Sequence, residues 1–423
     1  MIFFQKNKLP FWQLGILFCL IFIPLYGASP DIWEDTGAYL YFDAVRPPIY
    51  PLFLWLFHRF GQHQLLVAMW VQSLINFLAL VYAAYWLHTR LELPKFLIFI
   101  LLAFSVVLLQ HFSVYRSILT EALSFPLFIV AVMFFVDSFK DFNIKKVILL
   151  SLTVNVLVLT RGQFYYFYIL FFMLIAWHIW KRSPLRKLLV GSLTIIFFIT
   201  VAMLGNRAYH YVLHKHFSVS SASGAVFIQQ AMYLSNLGDA AYFRNPDERL
   251  FFEKTMKTLE DKHLTRDNPP LILRPPIGLG VASEYYERAY FPIMCTVRSN
   301  LPSRNLYSYD SSAFLVKISK TLYVHNLKKA GIFYVWRVAS FVGGPMFFLG
   351  FLIVLISICF RALTDRSWNP TIKQIFVSVS FFIILANAAV IGCCAGTDLR
   401  YFYYAYFLYL CLWGLLAKEF IQK

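Results

Sequence analysis

Four carboxylates and one arginine lie together in a short polar stretch near the start of the chain. Asp31, Glu34, Asp35 and Asp43 are followed by Arg46, within the sequence PDIWEDTGAYLYFDAVRPP. A carboxylate can take a proton from an attacking hydroxyl, and the fork of an arginine can hold a phosphate. These residue types at this spacing indicate chemistry on an anionic substrate. The alternative is a hydrated loop with a solvated charge cluster, since clustered acids are only statistical evidence of a site.

The apolar segments on either side of this stretch decide the class of protein. Of the 423 residues, 60% are hydrophobic and 14% are charged, and long apolar runs recur along the chain. Runs of about 18 residues or more are long enough to cross a bilayer, and soluble domains are much less apolar. The sequence therefore predicts an all-α polytopic membrane protein. Charge near hydrocarbon is costly, so the acidic stretch needs a functional reason.

The basic residues predict the orientation of the chain. Many of the basic residues behind the net charge of +17 lie in short loops between apolar runs. Every second loop is basic, which is typical of cytoplasmic loops. This alternation puts both termini in the cytoplasm and the acidic stretch outside, in a first external loop at residues 29–63. No basic stripe interleaved with aromatic residues lies outside the apolar runs, so no nucleic-acid partner is expected.

Hydropathy and loop charge together predict about ten transmembrane helices, with juxtamembrane helices in the first external loop. The first span runs from Phe11 to Ala28, and the others fall at 64–87, 95–113, 118–136, 146–160, 163–180, 187–205, 332–360, 372–392 and 401–417. Three parts follow from this division. They are an N-terminal membrane domain at 1–205, an external segment at 206–331 and C-terminal transmembrane helices at 332–423.

The external segment at 206–331 is the one long interruption of the apolar pattern. It holds about half of the acidic residues, and the amphipathic spacing at Asp247–His263 predicts a helix. It is large enough to form a small external domain. A connection of this length is more often functional than idle.

Short motifs, in order along the chain, resemble a known family. They are Arg46-Pro47-Pro48-Ile49-Tyr50-Pro51, Leu119-Thr120-Glu121-Ala122, Leu159-Thr160-Arg161-Gly162 and Asp398-Leu399-Arg400-Tyr401. With the acidic external loop after the first span, they resemble the GT-C membrane glycosyltransferases, which use polyprenyl-phosphate sugars. The nearest resemblance is to the bacterial protein mannosyltransferase and lipid A aminoarabinose transferase group.

The resemblance implies an inverting glycosyltransferase at the external, periplasmic face of the cytoplasmic (inner) membrane. It would move a sugar from a polyprenyl-phosphate donor to a lipid, glycan or protein acceptor. In that family an acid four residues before a tyrosine is the catalytic base, which here selects Asp35 before Tyr39. Glu34 is the second candidate acid, although the family places its second acid after the first and not before it.

The resemblance also implies arginines that bind the lipid phosphate at the predicted outer face. The candidates are Arg46 first, then Arg400 and Arg161. An arginine fork matches phosphate oxygens and suits a leaving group that gains charge. The supporting residues are Asp43, Tyr39, Glu121 and Tyr401.

Several of these residues also have purely structural interpretations. Asp43 can pair with Arg46, and Glu121 can pair with Arg116 across helical spacing. Arg161 can bond carbonyl groups at a short hairpin. For Arg400 and Tyr401, the alternative is a pair that anchors the chain at the membrane interface.

No metal or other cofactor is expected to be required, because arginines already neutralise a monophosphate donor. A divalent cation at Asp31, Glu34 and Asp35 is the alternative, since this spacing offers oxygen ligands and some relatives use one.

Other classes of membrane protein remain open on the sequence. A transporter or a flippase of a lipid-linked saccharide usually has repeats or broken helices in paired positions, and no repeat is detectable here. An O-antigen ligase or polymerase would be expected to place its key arginines in the large external loop. The last alternative is a membrane scaffold without catalysis.

Overall fold

The computed structural model describes residues 10–268, 279–365, 368–394 and 402–421. Within these ranges every named element is a helix, and β pairing is limited to one isolated bridge between Asp31 and Ser117. The prediction of an all-helical chain is therefore confirmed for the part of the chain that is described.

The helices follow one another with short connections. In chain order they are α1 Phe11–Phe22, α2 Glu34–Leu40, α3 Ile49–Trp55, α4 Gln64–Arg90, α5 Lys95–His111, α6 Thr120–Lys140, α7 Ile144–Thr160, α8 Phe167–Trp180, α9 Leu185–His214, α10 Ser223–Leu234, α11 Pro246–Asp261, α12 Leu279–Asn300, α13 Tyr309–His325, α14 Leu327–Phe341, α15 Pro345–Thr364, α16 Ile372–Cys394 and α17 Tyr403–Ile421. Short 3-10 turns lie at Ile23–Leu25, His58–His63, Gly162–Tyr166 and Leu237–Tyr242.

The chain folds into two compact units. One is formed by the chain up to Leu213, together with Ile353–Asn387 and the segment from Phe402 onward. The other is formed by His214–Leu352 and a segment that begins at Ala388. The division at 205, 331 and 332 stays a prediction, and α9 runs without a break past 205 to His214.

Among the described residues, six helices are long and apolar enough to cross a membrane, and a seventh span results if α14 and α15 count as one bent span. Nine of the ten predicted spans each overlap one described helix, and the span at 332–360 overlaps two, α14 and α15. Three of them fall on shorter helices: α1 with its 3-10 turn, α5 and α7. A helix of 17 residues rises only about 26 Å, less than the roughly 30 Å of the hydrocarbon core. The chain is thus a multi-helix membrane protein, while the count of ten stays a prediction.

Helix α6 is the central helix of the first unit. Its apolar window is 78% buried, whereas that of α9 is 22% buried and largely open to lipid. Helix α6 packs between α4 and α7 and is apolar on all sides, as expected of a helix surrounded by others. Its N-terminus carries Thr120 and Glu121, so the most buried helix positions these two polar residues.

The second unit has its own apolar core, built mainly from α10 to α14. Helices α10 and α13 approach closely at Gly224, whose amide donates to the hydroxyl of Ser312 at 3.0 Å. Helix α11 matches the amphipathic helix expected at Asp247–His263. Asn245 caps its start by accepting from the amide of Asp247 at 2.8 Å.

The predicted span at 332–360 is broken in the structure. Helices α14 and α15 meet at a bend of 90°. Gly343 and Gly344 lie between them with φ of +103° and +108°, a backbone region that side chains with a Cβ rarely adopt. Two adjacent glycines therefore permit a bend that an apolar run alone does not reveal.

Candidate functional site

The first external loop contains two short helices joined by a tight turn. Glu34 and Asp35 form the first turn of α2, where negative charge is favourable near the helix N-terminus. Phe42 ends this helix in the left-handed region, with φ of +55°, and the chain reverses there. Pro47 and Pro48 then precede α3, as expected of prolines at a helix start. The reversal brings the residues after α2 back over its first turn.

The acidic stretch is pinned to the segment that leads into α6. The amide of Asp31 donates to the carbonyl of Arg116 at 3.0 Å, and the amide of Ile118 donates to the carbonyl of Asp31 at 3.1 Å. The Asp31 carboxylate also binds the Arg116 guanidinium at 3.0 Å. Trp33 adds a bond from its indole N–H to the hydroxyl of Ser117 at 2.9 Å. These contacts fix the loop relative to the N-terminus of α6.

Thr36 makes the same connection from inside α2. Its hydroxyl donates to the carbonyl of Ile118 at 3.3 Å and accepts from the amide of Trp33 at 2.9 Å. Thr36 is buried, so this anchor is shielded from water. No local sequence pattern indicates this contact, because the partners are about eighty residues apart.

Asp35 and Arg46 form a direct ion pair between Oδ1 and Nη2. The alternative pairing of Arg46 with Asp43 is wrong for this structure. The carboxylate of Asp43 instead accepts from the amide of Val45 at 3.2 Å and shapes the turn. Because this turn leads the chain back over α2, Arg46 reaches the acid eleven residues earlier and not the one three residues earlier.

Two tyrosines form the floor beneath this ion pair. The guanidinium of Arg46 lies over the ring of Tyr39, 4.7 Å from its centroid. Tyr39 packs edge to face on Tyr50 at 5.0 Å. The hydroxyl of Tyr50 donates to Gln72 at 3.2 Å, and the amide of Gln72 donates to the carbonyl of Ser117 at 2.9 Å. Sequence reasoning missed Tyr50 and Gln72, although Tyr50 lies in a motif that it used.

The buried phenol of Tyr39 responds to the charges around it. Burial raises the pKa of Tyr39 to about 12, with Arg46 acting in the opposite direction. Glu121 and Asp35 raise this pKa further, and Arg161 lowers it. Tyr39 therefore lies within electrostatic range of both the Asp35–Arg46 pair and a second pair at the start of α6.

This second pair joins Glu121 and Arg161 at 2.7 Å. Their side chains are only 6% and 12% exposed. The alternative pairing of Glu121 with Arg116 is wrong, because α6 begins at Thr120 and Arg116 lies outside the helix. Arg116 binds Asp31 instead.

Arg161 is held by further side chains around this pair. It donates to the hydroxyl of Thr120 at 3.0 Å and to Gln163 at 2.8 Å. Gln163 in turn donates to Asn387 of α16 at 2.7 Å. These bonds go to side chains, whereas the hairpin interpretation expects bonds to carbonyl groups. The arginine connects three parts of the first unit.

The start of α17 covers the Glu121–Arg161 pair. The hydroxyl of Tyr403 donates to the carbonyl of Glu121 at 3.0 Å, and the hydroxyl of Tyr404 contacts that of Ser124. Arg400 and Tyr401, which precede these tyrosines, lie outside the described residues, so their assignment stays a prediction.

The acids of the loop have different surroundings. Glu34 is exposed, whereas Asp35 is intermediate and its side chain is 39% exposed. The described residues contain no group of three metal-ligating side chains. The carboxylates of Asp31 and Asp35 are each directed to an arginine. A cation site at Asp31, Glu34 and Asp35 therefore stays a prediction.

The arrangement offers one partly exposed carboxylate beside one partly exposed guanidinium, above an aromatic floor. Asp35 can accept a proton, and Arg46 can hold an anion at the same place. The chain matches no family model, no curated protein and no solved structure. The resemblance to the GT-C enzymes thus depends on the sequence motifs, and the chemical argument depends on the residues of this site.

Proposed function

We propose that the protein is an inverting glycosyltransferase of the cytoplasmic membrane. It transfers a sugar from a polyprenyl-phosphate carrier to a lipid, glycan or protein acceptor at the external, periplasmic face. The observation that carries this proposal is the Asp35–Arg46 pair in the first loop. A proton acceptor and a phosphate ligand are adjacent there, and both are partly open to a substrate.

In the proposed reaction Asp35 removes the proton from the acceptor hydroxyl. The hydroxyl oxygen then bonds to the anomeric carbon as the bond from that carbon to the phosphate oxygen breaks. The lipid phosphate leaves with one additional negative charge, which Arg46 neutralises. Asp35 contacts Arg46 through Oδ1, and its side chain is 39% exposed. One oxygen can therefore meet the acceptor while the other faces the arginine.

The remaining predicted residues take distinct places in this proposal. Arg46 is the main phosphate ligand, and Arg400 remains the second candidate, with Tyr401 in support. Arg161 is a positioning residue and not a phosphate ligand in this proposal, because its guanidinium already binds Glu121, Thr120 and Gln163. Glu34 is exposed and serves as the alternative acid.

The bent helix pair favours a second candidate function, a transporter or flippase of a lipid-linked saccharide. Such proteins use broken helices within the membrane, and α14 and α15 form one broken pair. The two functions differ in one respect. A transporter needs two membrane faces, whereas a transferase also works in detergent micelles.

The test uses membranes of a deletion strain, solubilised in detergent and supplied with purified protein. Mass spectrometry of the envelope glycans of wild-type and deletion cells first identifies the missing modification. The transferase is expected to restore this mass in micelles, where no leaflets exist. Restoration only in intact vesicles would favour the transporter.

Arg46→Lys is the variant that tests the phosphate ligand. It keeps the charge but loses the two-pronged fork. Losing charge-assisted bonds of about 1.5–3 kcal/mol lowers donor affinity about 10- to 150-fold. Arg59→Lys is the matched control, because Arg59 is an exposed arginine of the same loop. Equal activity of the two variants would show that Arg46 is not the phosphate ligand.

A further inference from the structure

A groove lies between α15, α16 and α17, and its described lining includes none of the residues of the proposed active site. Its volume is about 550 Å³, within the roughly 300–1,000 Å³ of ligand sites in proteins. Its wall is almost entirely apolar. The lining residues are Val354, Ser357, Ile358, Arg361, Trp368, Lys373, Gln374, Val377, Ser378, Phe381, Leu412, Leu415, Leu416 and Glu419.

The charged residues of the groove gather at one end of the three helices. Arg361 is near the end of α15, Lys373 is near the start of α16 and Glu419 is near the end of α17. Val354 and Phe381 are the lining residues farthest along α15 and α16 from the charged positions of these helices, at seven and eight residues. At 1.5 Å per residue, the groove extends about 10–12 Å from its charged mouth. It has the shape of a channel for a chain with a polar end.

Aromatic residues place this mouth at the level of a membrane surface. Arg361 lies over the ring of Trp368, 5.3 Å from its centroid. Trp368 also packs edge to face on Trp177 at 6.1 Å. Tryptophans are enriched where lipid head groups meet the hydrocarbon.

Two further lysines hold the loop that borders the mouth. Lys140 donates to the side chain of Asn369 and to the carbonyl of Pro370, both at 3.1 Å. Lys181 donates to the carbonyl of Trp368. With Arg361 and Lys373, four cations surround the opening. Among the described residues that line the groove, Arg361 and Lys373 are basic and Glu419 is acidic, so the lining has a net positive charge.

The acid within the groove is held only weakly. Glu419 approaches Lys373 at 3.8 Å, and the two side chains are 63% and 34% exposed. Exposed pairs of this kind contribute little to stability. A phosphate can therefore take the place of this carboxylate at Lys373.

From this geometry we propose that the groove binds an anionic glycerophospholipid. One acyl chain fills the apolar channel, and the phosphate lies between Arg361 and Lys373. A free phosphate would leave the channel empty, and a zwitterionic lipid would bring its own cation to a cationic mouth. The proposal requires a membrane around the protein but is independent of the proposed transferase activity.

The test is native mass spectrometry of the purified full-length chain with phosphatidylglycerol or phosphatidylcholine. The wild type is expected to retain one phosphatidylglycerol in preference to phosphatidylcholine. Basic residues near an anionic lipid surface contribute about fivefold each, so Arg361→Ala with Lys373→Ala should weaken this retention about 25-fold. Arg186→Ala with Lys187→Ala is the matched control, since both are exposed bases outside the groove and should retain the lipid.

A variant that fills the channel separates the acyl site from the charged mouth. Ser357 lines the groove and is exposed to it, so Ser357→Phe should displace the lipid while leaving all charges in place. Equal retention of both lipids by the wild type would overturn the proposal. The proposal would also be overturned if the variant with both Arg361→Ala and Lys373→Ala retained as much phosphatidylglycerol as the control variant.

Discussion

Replacing Arg161 by alanine is expected to destabilise the first unit strongly. The substitution leaves the Glu121 carboxylate buried, with a side chain only 6% exposed. The hydroxyl of Thr120, 3.1 Å from Glu121, remains as a partner but carries no charge. A buried carboxylate is far from water, and a neutral hydroxyl does not replace the charge of the lost guanidinium.

The size of the effect follows from this burial. Removing one partner of a buried ion pair costs about 3–5 kcal/mol, because the other charge remains uncompensated. The Thr120 hydroxyl favours the lower end of this range. Arg161→Ala also removes the donor to Gln163, which is itself bonded to Asn387. The loss therefore extends to the contact with α16.

The assay is equilibrium unfolding of the purified protein in detergent, followed by helix content and extrapolated to zero denaturant. Arg249→Ala is the matched control, since Arg249 pairs with Glu253 on an exposed helix face at 2.8 Å. Pairs of that type contribute only about 0.3–0.5 kcal/mol. A double-mutant cycle with Glu121→Gln measures the coupling. The double variant should be more stable than Arg161→Ala alone, because no buried charge is left.

Two results would refute this reasoning. In the first, Arg161→Ala costs no more than the exposed control. In the second, the effects of Glu121→Gln and Arg161→Ala simply add, which would show that the two side chains do not act as a buried pair.

Two other predictions concern packing and pH. Gly224→Ala would place a Cβ 2.5 Å from the backbone of Ser312, so overpacking should lower the free energy of unfolding by about 1–3 kcal/mol. Gly331→Ala has open space around the new Cβ and should raise that free energy by about 0.4–1 kcal/mol. Thermal unfolding measures both variants, and equal effects would contradict the close approach at Gly224. Since the pKa of Tyr39 is raised to about 12, its neutral phenol stabilises the folded state fully below pH 10, and this contribution is lost between about pH 10 and 12. Unfolding of the wild type and of Tyr39→Phe against pH should show the stability difference changing only in that window, and a difference that changes below pH 9 would contradict it.

The sequence was informative wherever the signal is local. All ten segments predicted from apolar runs overlap observed helices, and the helix predicted at Asp247–His263 from amphipathic spacing matches α11. The prolines before Ile49 are typical of a helix start, and α3 begins at Ile49. Each of these features depends on neighbouring residues only, so one sequence is sufficient to detect it.

The pairing of charges could not be predicted in the same way. Arg46 lies three residues from Asp43 but binds Asp35, because Phe42 reverses the chain. Arg161 binds Glu121 across forty residues because the connection between α7 and α8 meets the start of α6. Such contacts depend on turn geometry and on helix packing, and neither is encoded in residue spacing.

The most direct test of the proposed function is the rate of sugar transfer by Asp35→Asn in solubilised membranes of the deletion strain. The substitution keeps the size and hydrogen-bonding capacity of the side chain but removes the proton acceptor. Loss of a general base lowers the rate about 10²–10⁴-fold, so transfer should fall by that amount. Asp43→Asn, which keeps the acceptor for Val45, should remain close to the wild type. Transfer by Asp35→Asn at the wild-type rate would contradict the assignment of Asp35 as the base.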